Sequence, residues 1–464
     1  MSYYTVNGSD SETVFSRDTR EDSKIINLYK EKSISLYKKG VWAYFLLLIF
    51  EGALRKWVLP GLSTPLLIIR DPIAIWLVLS AWRQGMLSSN IYVPCAVIIG
   101  IVSIFTAIFL GHGSLPVALF GARILIIHFP LMFVIGKILN RQDVINMAKA
   151  TLLIATPMAV LIFFQFYSPQ SAWVNRGVGG DMEGAGYSGA LGFFRPPATF
   201  SFTTGTTFFF TFVAPFVCYF WLSSEKLNKI VLIAATLALL SSIPLSLSRS
   251  LFFGVGVTFI FSIMAVSRKP KYLGRIIGAA IFIVLALTIL NKTTFFSVST
   301  EAFTARLENA SEFEGGVQGA LIDRYLGGMI GALSGSTVTP FFGYGVGMGT
   351  NVGSMLLNGK VTYLIAEGEW GRLIGELGPI MGIVIILLRL MFCAKVTIAA
   401  YKKLAVGDFL PWILLSNLLL VVPQGQWAQP TGLGFSTLIG GLVIASFRNT
   451  TNVNTIREKK SEYS

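Results

Sequence analysis

The stretch that decides the fold is Thr362-Tyr-Leu-Ile-Ala-Glu-Gly-Glu-Trp-Gly-Arg-Leu-Ile-Gly-Glu-Leu-Gly378. It ends a long polar segment, residues 292–371, in a chain that otherwise consists of one apolar run after another, and it carries several charges into the next apolar run. Loops of this length inside a compact protein usually have a function of their own. We therefore expect this segment to contribute to the chemistry of the protein.

The composition is that of an integral membrane protein. Of the 464 residues, 53% are hydrophobic and only 13% are charged, and the mean hydropathy is +0.68. Soluble domains carry about 25% charged residues. The three cysteines all lie inside apolar runs, where a thiolate metal ligand is not expected, so the sequence predicts no disulfide and no metal or other cofactor.

The apolar runs predict an all-α fold, a polytopic transmembrane helix bundle. A spanning helix needs about 20 mostly apolar residues, and on this basis we predict about 12 spans. They form one transmembrane domain, 41–450, between polar tails at 1–40 and 451–464, and the first tail lacks the apolar core of a signal peptide. The predicted spans are 41–59, 64–82, 91–110, 117–137, 149–167, 200–222, 229–248, 250–267, 273–291, 372–392, 408–423 and 431–447.

The basic residues predict the orientation of these spans. With the N-terminus inside, most of the 37 Lys and Arg residues fall on the inner side, which is the positive-inside pattern. Both tails are then cytosolic, and two long loops face outwards: 168–199, and 292–371 between the ninth and tenth spans. The net charge of +14 is therefore a signal of topology, and nucleic acid is not expected as a partner.

Ionisable residues inside the predicted spans share the outward half of the bilayer. Such residues are costly in lipid and usually face a cavity or a partner. Because guanidinium groups bind phosphate oxygens in pairs, an arginine cluster at this depth suits a diphosphate carried on a lipid. The residues concerned are Glu51, Arg55, Lys56, Arg70, Asp71, Arg123, Arg195, Arg249 and Arg372.

Structural explanations for the same charges remain open at this stage. Basic residues near an interface can extend their head groups to water, and this applies to Arg55, Lys56, Arg195 and Arg372. Glu51 and Arg55 are four residues apart and can neutralise each other. Arg123 has no acidic neighbour in sequence, which favours a functional role, whereas His128 is interpreted as a hydrogen-bonded packing residue.

The outward segment 292–371 and the run after it hold further candidates. Glu367, Glu369 and Glu376 are carboxylates at a low-dielectric boundary, which suits a general base, although Glu369 and Arg372 can also form a simple ion pair on a helix face. The run Gly343–Gly349 is interpreted as a set of tight turns and not as a nucleotide site. A short interfacial helix is predicted over Asp323–Leu333, and Arg324 within it is a candidate for a supporting role.

Four further segments stand in a fixed order along the chain: Phe194-Arg-Pro-Pro-Ala-Thr-Phe-Ser-Phe202, Leu247-Ser-Arg-Ser250, Pro340-Phe-Phe-Gly-Tyr-Gly-Val-Gly-Met-Gly349 and Glu376-Leu-Gly-Pro-Ile-Met-Gly382. Together they resemble the O-antigen polymerase and O-antigen ligase superfamily of bacterial surface-polysaccharide enzymes. The twelve-span plan with one large outward loop is also similar to that superfamily. Each motif alone is degenerate, and their order along the chain carries the resemblance.

The resemblance implies a metal-independent, inverting glycosyl transfer at the outer face of the bacterial plasma membrane. Arg195 and Arg249 would bind the diphosphate of an undecaprenyl-diphosphate-linked oligosaccharide, and a base near the end of the long loop would activate the acceptor hydroxyl. Ligases have a histidine at the position that Glu367 occupies here, which favours a polymerase. Implied partners are the lipid-linked oligosaccharide, the lipid bilayer and a chain-length regulator protein.

Two alternatives remain open. One is a ligase that transfers finished glycan to a lipid or protein acceptor by the same chemistry. The other is a polysaccharide-precursor transporter or flippase without covalent chemistry. Transporters usually carry ionisable residues near the midplane and show inverted repeats. We detect no repeat in this sequence, and its ionisable residues cluster in the outward half.

Overall fold

The protein is an all-helical bundle, as predicted. The computed structural model describes residues 33–87, 90–268, 273–314, 328–334, 339–360, 362, 364–366 and 368–448. Within these ranges the strands are confined to one short hairpin, β1 (Tyr187–Ser188) with β2 (Phe194–Arg195), in which Tyr187 pairs with Arg195. The candidates Glu367 and Arg324, and most of both predicted tails, lie outside the described residues.

The first five helices each have the length and composition of a membrane span. They are α1 (Ser33–Val58), α2 (Pro60–Arg83), α3 (Tyr92–Phe109), α4 (Leu115–Ile138) and α5 (Arg141–Tyr167). Their termini follow from local sequence: Asn140 and Asp143 form a capping box at the start of α5, and Pro116 stands in the first turn of α4. The segment after α5 contains one 3₁₀ turn, Trp173–Asn175, and the hairpin.

The next five helices include two sharp changes of direction. They are α6 (Thr204–Leu222), α7 (Lys229–Leu245), α8 (Arg249–Ser267), α9 (Leu273–Asn291) and α10 (Thr294–Glu314). Helices α7 and α8 meet at a turn in which Leu247 has φ 50°, and the Ser248 hydroxyl accepts a hydrogen bond from the Leu251 amide at the start of α8. Helix α10 is bent by 101° from α9, so the segment predicted as a long loop begins with a helix.

The last helices are α11 (Gly328–Ser334), α12 (Asn351–Asn358), α13 (Glu369–Ala405), α14 (Leu410–Val421) and α15 (Pro430–Ser446). Each of the twelve predicted spans overlaps a helix of the described chain. Among the described residues, eight helices are long and apolar enough to cross a membrane, or nine if the bent pair α9–α10 counts as one span, whereas α7, α14 and α15 are shorter apolar helices. The chain is therefore a helical membrane protein, and the count of twelve stays a prediction.

Helix α13 is two helical arms that fold back on each other at Gly378. That residue has the non-helical angles φ 80° and ψ 166° and is followed by Pro379. In a straight helix Glu369 and Arg389 would lie about 30 Å apart, yet the Arg389 guanidinium donates to the Glu369 carboxylate at 2.9 Å. A Cβ added at Gly382 would lie 2.8 Å from the Ile374 Cα, which also requires that the arms lie side by side.

Close packing between α4 and α15 uses glycine. A Cβ at Gly440 would collide with the Met132 side chain, and one at Gly136 would collide with Ile444. Small residues at helix contacts allow the backbones of membrane helices to approach closely. This contact fixes α15 against the half of α4 that follows His128 and so fixes the turn before α15 relative to Arg123.

Candidate functional site

A first ion network joins α1, α2 and α4. The Arg70 Nε donates to the Glu51 carboxylate at 3.0 Å, and its Nη2 donates to the Pro430 carbonyl at 2.7 Å. Arg55 lies 3.5 Å from the other Glu51 oxygen and also donates to the Ser63 carbonyl at 2.7 Å. We call this set the first network: Glu51, Arg55, Arg70, Asp71, Arg123 and His128.

Asp71 is the second acidic centre of the first network. It accepts from the Arg123 guanidinium and lies 3.1 Å from the His128 Nε2. Because a carboxylate can only accept, the His128 Nε2 donates to Asp71, and its Nδ1 lies 3.2 Å from the Tyr44 hydroxyl. The partner of Arg123 is therefore an acid from another helix, and His128 is buried and hydrogen-bonded, as predicted.

Local helix geometry places these side chains. Two π-helical turns occur among the spans, Leu54–Val58 in α1 and Ile124–His128 in α4. Such turns are rare and often lie at functional sites, because the extra residue redirects the side chains around it. The turn in α1 contains Arg55, and the turn in α4 directly follows Arg123 and ends at His128, so both turns lie at residues of the first network.

A second ion network is built on the folded-back helix α13. We define it as Glu369, Arg372, Glu376 and Arg389, all of them buried. Arg372 binds both oxygens of Glu369, at 3.0 and 2.7 Å, and its third nitrogen pairs with Glu376. Two guanidinium groups and two carboxylates give this network no net charge.

The hydrogen bonds of Glu369 use its full acceptor capacity. One oxygen accepts from Arg372 and Arg389, and the other accepts from Arg372 and from the Trp427 amide at 3.1 Å. A carboxylate has about four lone-pair sites, so a substrate hydroxyl can reach Glu369 only by displacing one of these donors. The role of Glu369 as a general base stays a prediction, and the ion pair with Arg372 is what the structure shows.

Arg195 and Arg249 lie in a different environment, which we call the Arg195–Arg249 site. Both are half-buried, one at the end of the β hairpin and the other as the first residue of α8. The hairpin packs on the turn before α8, because a Cβ added at Gly189 would collide with the Leu247 side chain. The structure thus brings the two elements that carry these arginines together.

Helix α6 connects the two sides of the Arg195–Arg249 site. The Thr206 hydroxyl donates to the Pro196 carbonyl at 2.9 Å, next to Arg195. The Thr207 hydroxyl lies 2.8 Å from the Ser248 hydroxyl, next to Arg249. The start of α6 is therefore the common support for both predicted diphosphate ligands.

The turn between α14 and α15, residues 422–429, was missed by the sequence analysis. Helix α14 has 12 residues, about 18 Å, which is much less than the thickness of a bilayer core, and Trp427 in the turn is fully buried. The turn therefore lies inside the bundle. The signal that could have found it is the polar sequence Pro423-Gln-Gly-Gln-Trp-Ala-Gln-Pro430 between two apolar runs.

Arg389 was also missed, and the same reasoning that found the other arginines would have found it. It stands in the middle of the apolar run of α13, and a charge in that position needs a partner. Its guanidinium lies 4.1 Å from the centre of the Trp427 ring and binds Glu369, so it joins α13 to the α14–α15 turn.

The glycine-rich run Gly343–Gly349 forms tight turns, as predicted. Gly343, Gly345 and Gly347 all have positive φ, between 72° and 108°, which other residues rarely adopt. The Tyr344 amide donates to the Gly375 carbonyl at 2.7 Å, and the Gly349 amide donates to the Glu376 carboxylate at 2.8 Å. This run therefore covers the first arm of α13.

Together these features define a helical membrane protein with a polar centre at which both ion networks and the α14–α15 turn meet. Compared with models of known protein families and with curated protein sequences, the chain matches none.

Proposed function

We propose that the protein polymerises lipid-linked oligosaccharide repeat units by inverting glycosyl transfer from an undecaprenyl-diphosphate donor. The observation that carries the proposal is the meeting of two arginine-bearing elements, the hairpin that ends at Arg195 and the start of α8 at Arg249, on one support at the start of α6. The order of the sequence motifs that contain both arginines adds support.

The proposal includes a membrane arrangement. The chain crosses the bacterial plasma membrane twelve times, both termini are cytosolic, and the hairpin and the segment 292–371 face outwards. Support comes from the distribution of Lys and Arg along the sequence. In this orientation a donor in the outer leaflet reaches the Arg195–Arg249 site from the side, through the bilayer.

The chemistry needs little beyond fixed positive charge and a base. The acceptor hydroxyl oxygen attacks the anomeric carbon of the donor, the bond from that carbon to the diphosphate oxygen breaks, and the hydroxyl proton passes to a carboxylate. Arg195 and Arg249 stabilise the negative charge that develops on the leaving diphosphate. No metal is required for this step.

Two carboxylates, Glu367 and Glu369, are candidates for the general base. Glu367 is the residue at the position where related ligases have a histidine, and it remains a prediction from sequence. Glu369 is the second candidate, but its four hydrogen bonds make it a better structural anchor than a proton acceptor. We therefore expect Glu367→Gln to lower turnover while leaving the yield of folded protein unchanged.

The test is conversion of lipid-linked repeat units into longer lipid-linked oligomers by purified protein in detergent. We expect Arg195→Ala and Arg249→Ala each to lower the rate about 10²–10³-fold, the range for removing one group that stabilises developing charge. Arg268→Ala is the matched control, because Arg268 is exposed at the other end of the same helix. Unchanged rates in both site variants would refute the assignment.

The same assay separates the alternatives. A ligase would transfer glycan to a lipid core or protein acceptor and would leave the lipid-linked repeat units unjoined when they are the only substrate. A flippase would move the labelled lipid across vesicle membranes without forming longer products.

A further inference from the structure

A strained leucine lies at the tip of the β hairpin. Leu191 and Gly192 are the central residues of its turn, with φ 50° and 79°, and the Phe193 amide donates to the Ala190 carbonyl at 2.9 Å. Two central residues with positive φ define a type I′ turn, in which asparagine, aspartate or glycine is favoured at the first of them. A leucine there costs free energy, because its Cβ lies too close to the following carbonyl oxygen.

Contacts among the described residues do not offset this strain. Leu247 has the same φ of 50°, but it is 0% exposed and lies beside Gly189 of the hairpin, so burial of its side chain compensates. Leu191 is 59% exposed. A compensating contact for Leu191 therefore has to come from outside the described part of the chain.

The base of the turn lies at the end of a membrane span. The Phe193 ring stacks on that of Phe166, with ring centres 4.6 Å apart, and also contacts Tyr167, the last residue of α5. Each residue of an extended chain advances about 3.3 Å, so the Leu191 Cα lies within about 7 Å of the Phe193 Cα. The tip is therefore near the level at which α5 leaves the bilayer.

The lipid-facing side of α5 continues towards the hairpin. Leu153, Val160 and Phe164 are each at least half exposed and recur on one face of this apolar span, which places them against lipid. Tyr167 follows Phe164 by three residues, so the two are neighbours on the helix surface. Because Tyr167 also contacts Phe193, the lipid-facing surface and the hairpin turn are continuous.

We propose that the hairpin tip is a lipid-binding surface, and that Leu191 inserts into the bilayer beside the end of α5. The segment between Glu183 and Arg195 carries no charge, and its Tyr187 and Phe194 are exposed aromatic residues. Apolar and aromatic side chains of this kind are favoured at the boundary between headgroups and acyl chains. Lipid contact at the tip fixes the depth of the strand that ends at Arg195, whatever reaction that arginine serves.

The first measurement uses the wild-type protein in nanodiscs whose phospholipids carry a diazirine on the acyl chain. After photolysis, mass spectrometry locates the lipid adducts along the chain. We expect adducts within residues 190–194, as at Val160 and Phe164 of α5. A hairpin tip without adducts, in a sample in which α5 carries them, overturns the lipid-binding surface.

The second measurement gives the depth of the tip. Leu191→Cys carries a nitroxide label in a full-length chain whose three native cysteines are replaced by alanine. Phe164→Cys is the matched lipid-facing control, and Glu183→Cys, in the same segment as the hairpin, is the water-facing control, since both residues are exposed. We expect the ratio of oxygen collisions to nickel-chelate collisions at 191 to match that at 164 and to exceed that at 183.

The alternatives give different results. A collision ratio equal to that at 183 places the tip in water and overturns the surface. A label that neither reagent reaches shows that protein covers the tip, from a partner or a second copy, and overturns it as well. Thermal unfolding identifies misfolded labelled variants, for which the wild-type adducts decide. Neither measurement needs polymer formation, so a failure of the proposed function leaves both results unchanged.

Discussion

The two buried networks and the Arg195–Arg249 site use the same residue type in opposite ways. Arg70, Arg123 and Arg372 are buried and donate to carboxylates from other turns or helices. Arg195 and Arg249 are half-buried, at a hairpin end and a helix start. Depth of burial therefore distinguishes the three arginines that join helices from the two at the Arg195–Arg249 site, and the number of arginines does not.

This difference changes the roles expected for several predicted ligands. Arg70, Arg123 and Arg372 were predicted to bind the diphosphate, together with Arg195 and Arg249. Arg372 donates from each of its three side-chain nitrogens to Glu369 and Glu376, so three of its five N–H groups are used inside the second network. That Arg70, Arg123 and Arg372 bind the diphosphate remains a prediction. The contacts observed for these three arginines join helices or helical turns.

The largest effect on stability is expected from Arg389→Met. The substitution leaves the Glu369 carboxylate buried with one charged partner fewer, and breaking a buried pair on one side costs about 3–5 kcal/mol. The measurement is the thermal unfolding midpoint in detergent, with Arg268→Met as the exposed control. An unchanged midpoint would mean that the second network does not hold the arms of α13 together.

Gly378→Ala is the next largest change. The residue has φ 80°, and an added Cβ would collide with the Phe341 carbonyl, so the strain alone should cost about 1–3 kcal/mol of unfolding free energy. Gly256→Ala is the matched control in α8, where a Cβ meets open space and should stabilise the helix slightly. Equal midpoints for the two variants would contradict the folded-back α13.

A double-mutant cycle tests the pair Asp71 and Arg123 in the first network. Asp71→Asn and Arg123→Met should each lower the free energy of unfolding. The double variant should lose less than the sum of the two single losses, and the difference, the coupling energy, should be about 0.5–3 kcal/mol. His128, which also contacts Asp71, is retained throughout the cycle. Strictly additive losses would show that the two side chains do not interact in the folded protein.

The smallest effect on stability is expected at the Arg195–Arg249 site. Arg195→Ala and Arg249→Ala should change the unfolding free energy by no more than about 0.5 kcal/mol, as is usual for substitutions outside the core. The same variants should lose polymer formation, as measured in the oligomer assay. A fall in the midpoint as large as that of Arg389→Met would remove the distinction between the two classes of arginine.

The sequence by itself determined the class of protein and most of its helices. The length and hydropathy of the apolar runs were sufficient for this. In lipid a helix must form all its backbone hydrogen bonds internally, and it needs about 20 apolar residues to cross the bilayer. The short connection between α7 and α8 was also predicted, by the span limits 229–248 and 250–267, as were the turns of the glycine-rich run, since both depend on local chain geometry.

Only the tertiary structure decided which charges pair. Asp71 pairs with Arg123, which lies 52 residues later in the sequence. Arg389 pairs with Glu369 because Gly378 reverses the direction of the chain within one apparent span. Sequence spacing identifies partners within a helix turn, such as Glu51 with Arg55, but it holds no information about contacts between helices. The same reason explains why the α14–α15 turn was missed: its contacts with Glu369 and Trp370 of α13 exist only in the tertiary structure.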